Sequence, residues 1–375
     1  QHIQFGRNCM KIKNLSIFNY RNISELSFDC NETTNCLVGR NGVGKTNILD
    51  AIYYLSFCKS NLLSNDALNV RRGEKSFLLQ GTYDVEDVPM KVACAYNAED
   101  KTKIIKCNDK KYTRFSDHVG LLPVVFVSPA DISLINEGGT ERRKFLDVFI
   151  SMYNREYLSH LLVYNKLLQQ RNSLFKQNQV IDDSYLDVLD EKLSVIGASI
   201  YEERKKAVSA LAERTKSSYS EISTLEECSI EYQSQLAEGN MATLLRKNRE
   251  KDKILTYTSV GVHRDDLLFR FDDNLIKTCA SQGQKKSFLL ALKFAQYQLI
   301  KEHKNGLKPL LLLDDLFDKL DKERSKNIFD MVEKQDFGQI FITDTDKILL
   351  HTVFEQRREN GTFWKVENGT IEKLD

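Results

Sequence analysis

Asn35-Cys36-Leu37-Val38-Gly39-Arg40-Asn41-Gly42-Val43-Gly44-Lys45-Thr46-Asn47-Ile48-Leu49-Asp50 is the stretch on which the rest of this chain is read. Gly39 to Thr46 satisfies the phosphate-loop pattern G-x-x-x-x-G-K-[ST] at every position. Cys36-Leu37-Val38 is a short apolar run suited to a buried strand, and Ile48, Leu49, Ile52 and Leu55 recur at helical spacing. A strand that turns straight into a helix leaves backbone N–H groups without partners at the helix start. Those groups and the helix dipole favour an anion. Gly39, Gly42 and Gly44 let the backbone wrap closely around phosphates, with Arg40, Asn41 and Val43 completing the loop. Lys45 reaches the β- and γ-phosphates, and Thr46 places a hydroxyl on Mg²⁺. The bland alternative is a glycine-rich turn that only joins two elements; the strand-then-helix context argues for a nucleotide.

The 375 residues suffice for about two domains and a large buried core. Lys plus Arg (54) and Asp plus Glu (53) nearly cancel, so a nucleic-acid partner does not follow from net charge and requires a local basic patch. No apolar run approaches the length of a membrane span; the longest are of the kind Leu310–Leu313. The eight cysteines are scattered, form no C-x-x-C pair and lack histidines at zinc-ligand spacing. A reducing cytoplasm is the expected compartment. Residues 1–9 show no periodicity and are expected to lie outside the fold, as unstructured or appended sequence.

From Met10 to Asp29 the apolar alternation, broken by Asn19-Tyr20-Arg21-Asn22, predicts a hairpin leading into the Cys36 strand. Arg21 and Asn22 sit where side chains fold back toward a bound phosphate or base; as an isolated pair they also read as a plain polar turn. Strand-like segments follow at Ser76–Tyr83, Met90–Tyr96, Lys103–Cys107 and Pro123–Ser128, suggesting an antiparallel sheet beside a parallel core. Residues 129–254 read as a separate helical lobe, and 10–128 with 255–375 as the two halves of the nucleotide lobe. Asn172, Asn178, Asp182-Asp183 and Gly197 interrupt the helical stretch, which predicts short packed helices and no long coiled coil. Arg71-Arg72, Arg142-Arg143-Lys144 and the run Arg246–Lys253, with Arg246, Lys247 and Arg249 foremost, are the candidate contacts to a DNA backbone. Arg142 and Arg143 are equally open to ion pairs inside the helical lobe. His263, in the polar cluster Thr258–Asp266, reads as a hydrogen-bonded structural histidine.

Two later stretches turn nucleotide binding into a mechanism. Leu310-Leu311-Leu312-Leu313-Asp314-Asp315 is an apolar strand ending in two carboxylates, and ligands of parallel sheets lie at the carboxyl ends of strands. Asp314 is placed to hold Mg²⁺ and Asp315 to orient the attacking water. Ser281-Gln282-Gly283-Gln284 opens a helix whose apolar positions start at Phe288; taken alone it is a capped helix.

The order phosphate loop, S-x-G-Q helix, acidic strand and Phe317-Asp318-Lys319-Leu320-Asp321 resembles the ABC-type ATPase heads. The resemblance implies that Ser281, Gly283, Gln284 and Asp321 of one subunit meet the γ-phosphate held by Lys45, Thr46, Asp314 and Asp315 of another. Within that superfamily the chain is similar to the RecF family of bacterial DNA replication and repair proteins from Met10 onward. Phe18-Asn19-Tyr20-Arg21-Asn22, Gly39–Thr46, Pro129–Leu134 followed by Glu141–Asp147, Gln170-Arg171-Asn172, Thr258–Asp266, the Ser281 helix and Leu313–Asp321 carry the likeness. Val262, Gln282 and Gly139 depart from it, at places where proline, arginine and proline are common. The resemblance implies an α/β fold: an ABC-type ATPase head with a phosphate-loop core sheet, an antiparallel β-subdomain and an inserted α-helical lobe. It further implies ATP and Mg²⁺ as cofactors, an ATP-dependent homodimer with slow hydrolysis, and double-stranded, gapped or junction DNA as partner. RecR and RecO are the implied protein partners, in recombinase loading at gaps and stalled forks. Thr343 and Asp344 are the candidates for the roles that a glutamine and a histidine fill in other ABC heads. An ATPase subunit of a membrane transporter and a small-molecule kinase are the alternative readings; the first usually lacks the Glu141–Asp147 and Thr258–Asp266 stretches, and the second leaves the Ser281 helix and Asp318–Asp321 without a role.

Overall fold

A computed structural model of the chain describes residues 9–176, 183–315, 322–345 and 361–374. The chain forms two units, Gln1–Asp131 with Lys293–Asp375, and Ile132–Leu292. The first begins with β1 (Met10–Tyr20), β2 (Ile23–Asp29), β3 (Thr34–Val38), α1 (Lys45–Phe57), β4 (Ser76–Val85), β5 (Val88–Asn97), β6 (Thr102–Cys107), β7 (Lys110–Lys111) and β8 (Val124–Val127). The second holds α2 (Ser133–Asn136), α3 (Gly139–Ser151), α4 (Arg155–Lys176), α5 (Asp183–Ile222), β9 (Cys228–Gln233), α6 (Met241–Lys247), α7 (Arg249–Leu255), β10 (Asp266–Phe271), β11 (Asn274–Leu275) and α8 (Ile276–Cys279). After α9 (Gln282–His303), within which the division between units falls, come β12 (Leu310–Leu313), α10 (Lys322–Lys334), β13 (Ile340–Asp344), β14 (Thr362–Glu367) and β15 (Thr370–Leu374).

In the first unit β14, β3, β13, β12 and β8 pair in parallel, with β15 antiparallel at the edge. Cys36, Leu37 and all four leucines of β12 are buried, as strands covered on both faces require. The other sheet, in the order β2-β1-β4-β5-β6-β7, is antiparallel throughout. Its β1–β2 hairpin agrees with the sequence reading, yet β3 does not extend it and joins the parallel sheet. β8 likewise pairs with β12 rather than with the antiparallel strands. Along β1 the buried positions run Met10, Ile12, then Leu15, Ile17. The change of phase coincides with an irregularity in register between Ile12 and Asn14, an extra residue that re-aims the strand. Helix α1 touches β1, β4 and β5 of one sheet and β8 and β13 of the other. Burial from both sides explains why it is apolar all round, from Ile48 to Phe57, rather than along one stripe.

The second unit departs from the expected short helices. α5 is one helix of 40 residues, about 60 Å long at 1.5 Å per residue, and α4 packs along it. Gly197 lies inside α5, where glycine costs about 1 kcal/mol relative to alanine. The buried face of Leu186, Leu189, Leu193, Ile200, Val208 and Leu211 outweighs that cost. A Cβ at Gly197 would run into the Met241 side chain, so the glycine serves close packing and does not end the helix. The return to the nucleotide unit also falls later than residue 255. β10 pairs with β9 from Asp266 to Phe271, and the whole of 255–292 stays with the helical unit.

Candidate nucleotide site

The register of the parallel sheet assembles the site's first half. Asp344 is level with Val38, and Leu313 with Ile342, so Gly39, Asp314 and Thr343 follow at one edge, the carboxyl ends of β3, β12 and β13. Three glycines shape the loop for different reasons. A Cβ at Gly39 would press into the carbonyl oxygen of Val366 in β14; Gly44 has φ 116° and would meet Asn22 Oδ1 at 2.9 Å. Gly42 has φ 82° and faces open space. Helix α1 starts at Lys45 with no side-chain cap and no acid in its first turn. Its leading N–H groups are thus left for an external anion.

Lys45 Nζ donates to the carbonyls of Gly39 (2.6 Å) and Arg40 (3.1 Å), bending the loop around its own ammonium group. Burial lowers the Lys45 pKa, against the opposing charges of Asp315, Asp314 and Asp344. Thr46 Oγ1 lies 3.0 and 2.9 Å from the two carboxylate oxygens of Asp314, and Thr343 Oγ1 donates to Asp314 Oδ1 at 2.6 Å. Burial raises the Asp314 pKa while those two hydroxyls hold it down. The same Thr343 oxygen accepts from the backbone N–H of Asp315 at 3.0 Å. Asp315 itself sits at φ 45°, a left-handed conformation that costs a non-glycine residue about 1–3 kcal/mol and clusters at functional sites. The donor set fits a divalent cation beside phosphate: a hydroxyl and a carboxylate, both hard oxygens, meet next to an uncapped helix start.

Arg21 and Asn22 are drawn into this site. Arg21, at φ 56°, donates to Asn69 Oδ1 (3.2 Å) and Asn47 Oδ1 (2.8 Å). Asn47 donates to Asn22 Oδ1 (2.6 Å), and Asn22 to the carbonyl of Gly42 (3.1 Å). This chain ties the β1–β2 turn to the phosphate loop. Asn47, Asn69 and Thr343's grip on Asp314 were not read from the sequence; single asparagines and threonines carry no spacing signal. Nor was Asp50, a buried carboxylate accepting from Tyr20 (2.6 Å), Ser60 (2.7 Å) and the Asn61 N–H (2.8 Å).

Ser281, Gly283 and Gln284 lie in the helical unit, with Ser281 and Gln282 exposed. Ser281 Oγ accepts from the Gln284 N–H (3.2 Å) and Gln284 Oε1 from the Ser281 N–H (2.7 Å), a reciprocal capping box. Asp321 lies outside the described residues. Among the expected DNA contacts, Arg142 is spoken for: it is buried and forms a two-pronged pair with Asp266, 2.7 and 2.9 Å. Arg143 donates to the Asp265 carbonyl (2.7 Å), and Arg249 pairs with Asp187 (2.7 Å) and Asp190 (2.8 Å). These three arginines hold the helical unit together and are withdrawn as backbone contacts, because their guanidinium donors already face carboxylates or carbonyls. Arg71 lies 3.9 Å from Glu74, while Arg72, Arg246 and Lys247 are exposed.

Residues 11–371 match the family described as the RecF/RecN/SMC N terminal domain. The chain is 40% identical over 364 residues to the DNA replication and repair protein RecF of Phocaeicola vulgatus, covering 96% of this chain and 98% of that one. The chain belongs to the RecF family of DNA replication and repair proteins. The RecF of Flavobacterium johnsoniae is 43% identical over 340 residues, covering 90% and 94% of the two chains. A solved structure of the recombination mediator protein RecF with ATP, in the RecFOR pathway, superposes with a TM-score of 0.88 at 31% identity, both chains covered in full. An SMC head domain of Pyrococcus furiosus shares the fold at a TM-score of 0.58 and 16% identity, covering 97% of this chain and 96% of that one. The α/β ABC-type ATPase head with an inserted helical unit is thus the family's fold. RecF relatives that match nearly end to end do not favour the transporter reading. No helix among the described residues is long and apolar enough to cross a membrane.

Proposed function

We propose that this chain is an ATP-gated, DNA-binding switch whose two copies close around shared nucleotide and open on slow hydrolysis. One observation carries it: Thr46 and Thr343 converge on the buried Asp314 at the mouth of an uncapped helix, directly beside Lys45. The relative solved with ATP supports the same use of this loop. Lys45 would bind the β- and γ-phosphates, the N–H groups of Gly42 to Thr46 would cradle them, and Asp315 would orient the attacking water. Thr46 and Asp314 would hold Mg²⁺, which when bound supplies positive charge against the transferring phosphoryl group. Ser281 and Gly283, exposed or half-exposed at a helix start, would be lent to the nucleotide of the second copy. Arg21 and Asn22 would set the loop's position.

The proposal extends to duplex, gapped or junction DNA, to RecR- and RecO-like proteins, and to recombinase loading at gaps and stalled forks. A cytoplasmic setting accords with eight free cysteines. Sedimentation with and without ATP tests the switch. A dimer with ATP and a monomer with ADP are expected; a monomer in both, with nucleotide demonstrably bound, overturns it. Duplex affinity compared across ATP, ADP and no nucleotide then tests the coupling.

A further inference from the structure

The antiparallel sheet ends in a run that none of the assigned sites uses, from Lys101 to Arg114, with six cations in 14 residues. Lys103 is held by Asp66 at 2.6 Å and belongs to the fold. Lys91, Lys106, Lys110, Lys111 and Arg114 are exposed and have no ion-pair partner among the described residues. Register gathers Lys91, Lys106 and Lys111 on one side of the sheet, while Lys110, opposite Cys107, belongs to the other. Ser27, Ser16, Gln80, Ala93, Lys106 and Lys111 pair in succession from β2 to β7, and Asp29, Asn14, Thr82 and Lys91 form the next row. Asn14, Ser16, Gln80, Lys91, Lys106 and one carboxylate, Asp109, are among the residues that line a shallow depression of about 200 Å³ there. The opposite face is buried against α1.

Lys106 directly opposite Lys111 is a like-charge pair, which by itself destabilises a sheet. Lysines do protect sheet edges from pairing, and that accounts for Lys110 and Lys111 on the edge strand. It does not account for Lys91 and Lys106, on strands paired on both sides. Between them lie the uncharged Ser16, Gln80, Thr82 and Ala93, with the carboxylates Asp29 and Asp109 also on this face, so three lysines stand against two acids where a broad, rigid polyanion would approach the sheet. Among the described residues no buried charged group lines this depression to build a site for a lone small anion. We propose that this face binds the phosphate backbone of a nucleic acid, independently of base sequence. The assignment rests on the DNA-binding reading above and gives that reading a surface.

The test uses the full chain with ATP and a mixed-sequence duplex, comparing wild type with Lys91→Gln/Lys106→Gln/Lys111→Gln across a salt series. Affinity is expected to fall at least about tenfold near 0.1 M salt, and the log–log salt slope by about 2.7, at about 0.9 for each phosphate no longer neutralised. The thermal midpoint is expected to hold or rise as the like-charge pair is relieved, so binding and stability part company. A folded triple variant with unchanged affinity and slope overturns the surface alone. Wild type without duplex affinity at any salt overturns the DNA reading itself. If the triple variant fails to fold, Lys91→Glu reads the same slope, with no change in it overturning the surface. Displacement of duplex by poly-glutamate at equal charge concentration would assign the face to an acidic protein and also overturn the proposal.

Discussion

Asp314 is a carboxylate almost wholly removed from water, and it is tolerated because two hydroxyls, Thr46 and Thr343, donate to it. Thr343→Val keeps the shape and removes both that donor and the acceptor of the Asp315 N–H. The expected cost is about 1–3 kcal/mol in urea unfolding, with ATP hydrolysis falling further than ATP binding, since the carboxylates lose their setting. Stability and nucleotide affinity measured on one preparation separate the two effects. His263 poses a second residue-scale test. Its Nε2 donates to the Thr258 carbonyl (3.0 Å), so the neutral ring accepts at Nδ1 from Tyr164 (2.9 Å). Burial, with Arg264 and Arg143 nearby, depresses its pKa to about 4 although the Thr258 carbonyl opposes this. A histidine that stays neutral when folded and charges when unfolded draws stability down as pH falls from its unfolded pKa toward its folded one. From this group alone, unfolding free energy should be about 1.4 kcal/mol lower near pH 5.5 than near pH 7.5. In His263→Gln that part of the acid slope should vanish; an unchanged slope in chemical denaturation would refute it.

Among the elements, the start of α9 carries the contact proposed to reach the second copy's nucleotide. Its capping box would form in isolation from any S-x-x-Q stretch, but Gln284 is also held by Glu226, just beyond the end of α5. Gln284 Nε2 donates to Glu226 Oε1 (3.1 Å), and Tyr219 in the last turns of α5 donates to the same oxygen (2.6 Å). Ser281 and Gly283 are therefore aimed by the long helix as well as by local geometry. Glu226→Ala should weaken ATP-dependent association about fivefold, the worth of about one hydrogen bond, with ATP affinity of the monomer unchanged. Sedimentation titrations would read this, and Glu226→Gln, which keeps an acceptor, should recover most of the loss. Equal association of wild type and Glu226→Ala would leave the Gln284 contact without a role. The phosphate loop is constrained in the same double way. Gly39 is glycine because β14 passes behind it, and Gly44 because Asn22 and a positive φ leave no room.

For the molecule as a whole, the proposed switch needs two copies, so its clearest readout is assembly. Asp315→Asn should bind ATP and accumulate as a dimer, because the group proposed to orient water is gone while every proposed phosphate contact remains. Lys45→Met should lose ATP binding and stay monomeric. Scattering mass measured on both with ATP checks the pair; a monomeric, ATP-saturated Asp315→Asn would count against closure by nucleotide. The long α4–α5 pair projects the family's helical unit only as far as one 40-residue helix, and its interior polar groups keep it in register. Arg171, fully buried, donates to Asp190 and Asp252 at 2.7 Å, and Arg204 reaches Asp147 and Asp265 at 2.8 and 2.9 Å. Those pairs, like that of Arg142 with Asp266, are made within the helical unit.

Residue type and spacing alone were enough for the phosphate loop, the acidic strand end and the capped S-x-G-Q helix, because each is a local pattern with one chemical reading. The β1–β2 hairpin and most strands were legible for the same reason, as period-two alternation is local. What the chain could not declare is which side chains meet across distance. Thr343 on Asp314, Asn22 under Gly44, Arg142 on Asp266 and Lys106 opposite Lys111 are set by sheet register and helix packing, and no spacing records them. The continuous run of α5 through Gly197 was hidden likewise, since a glycine stops a helix only when no buried face carries the helix past it.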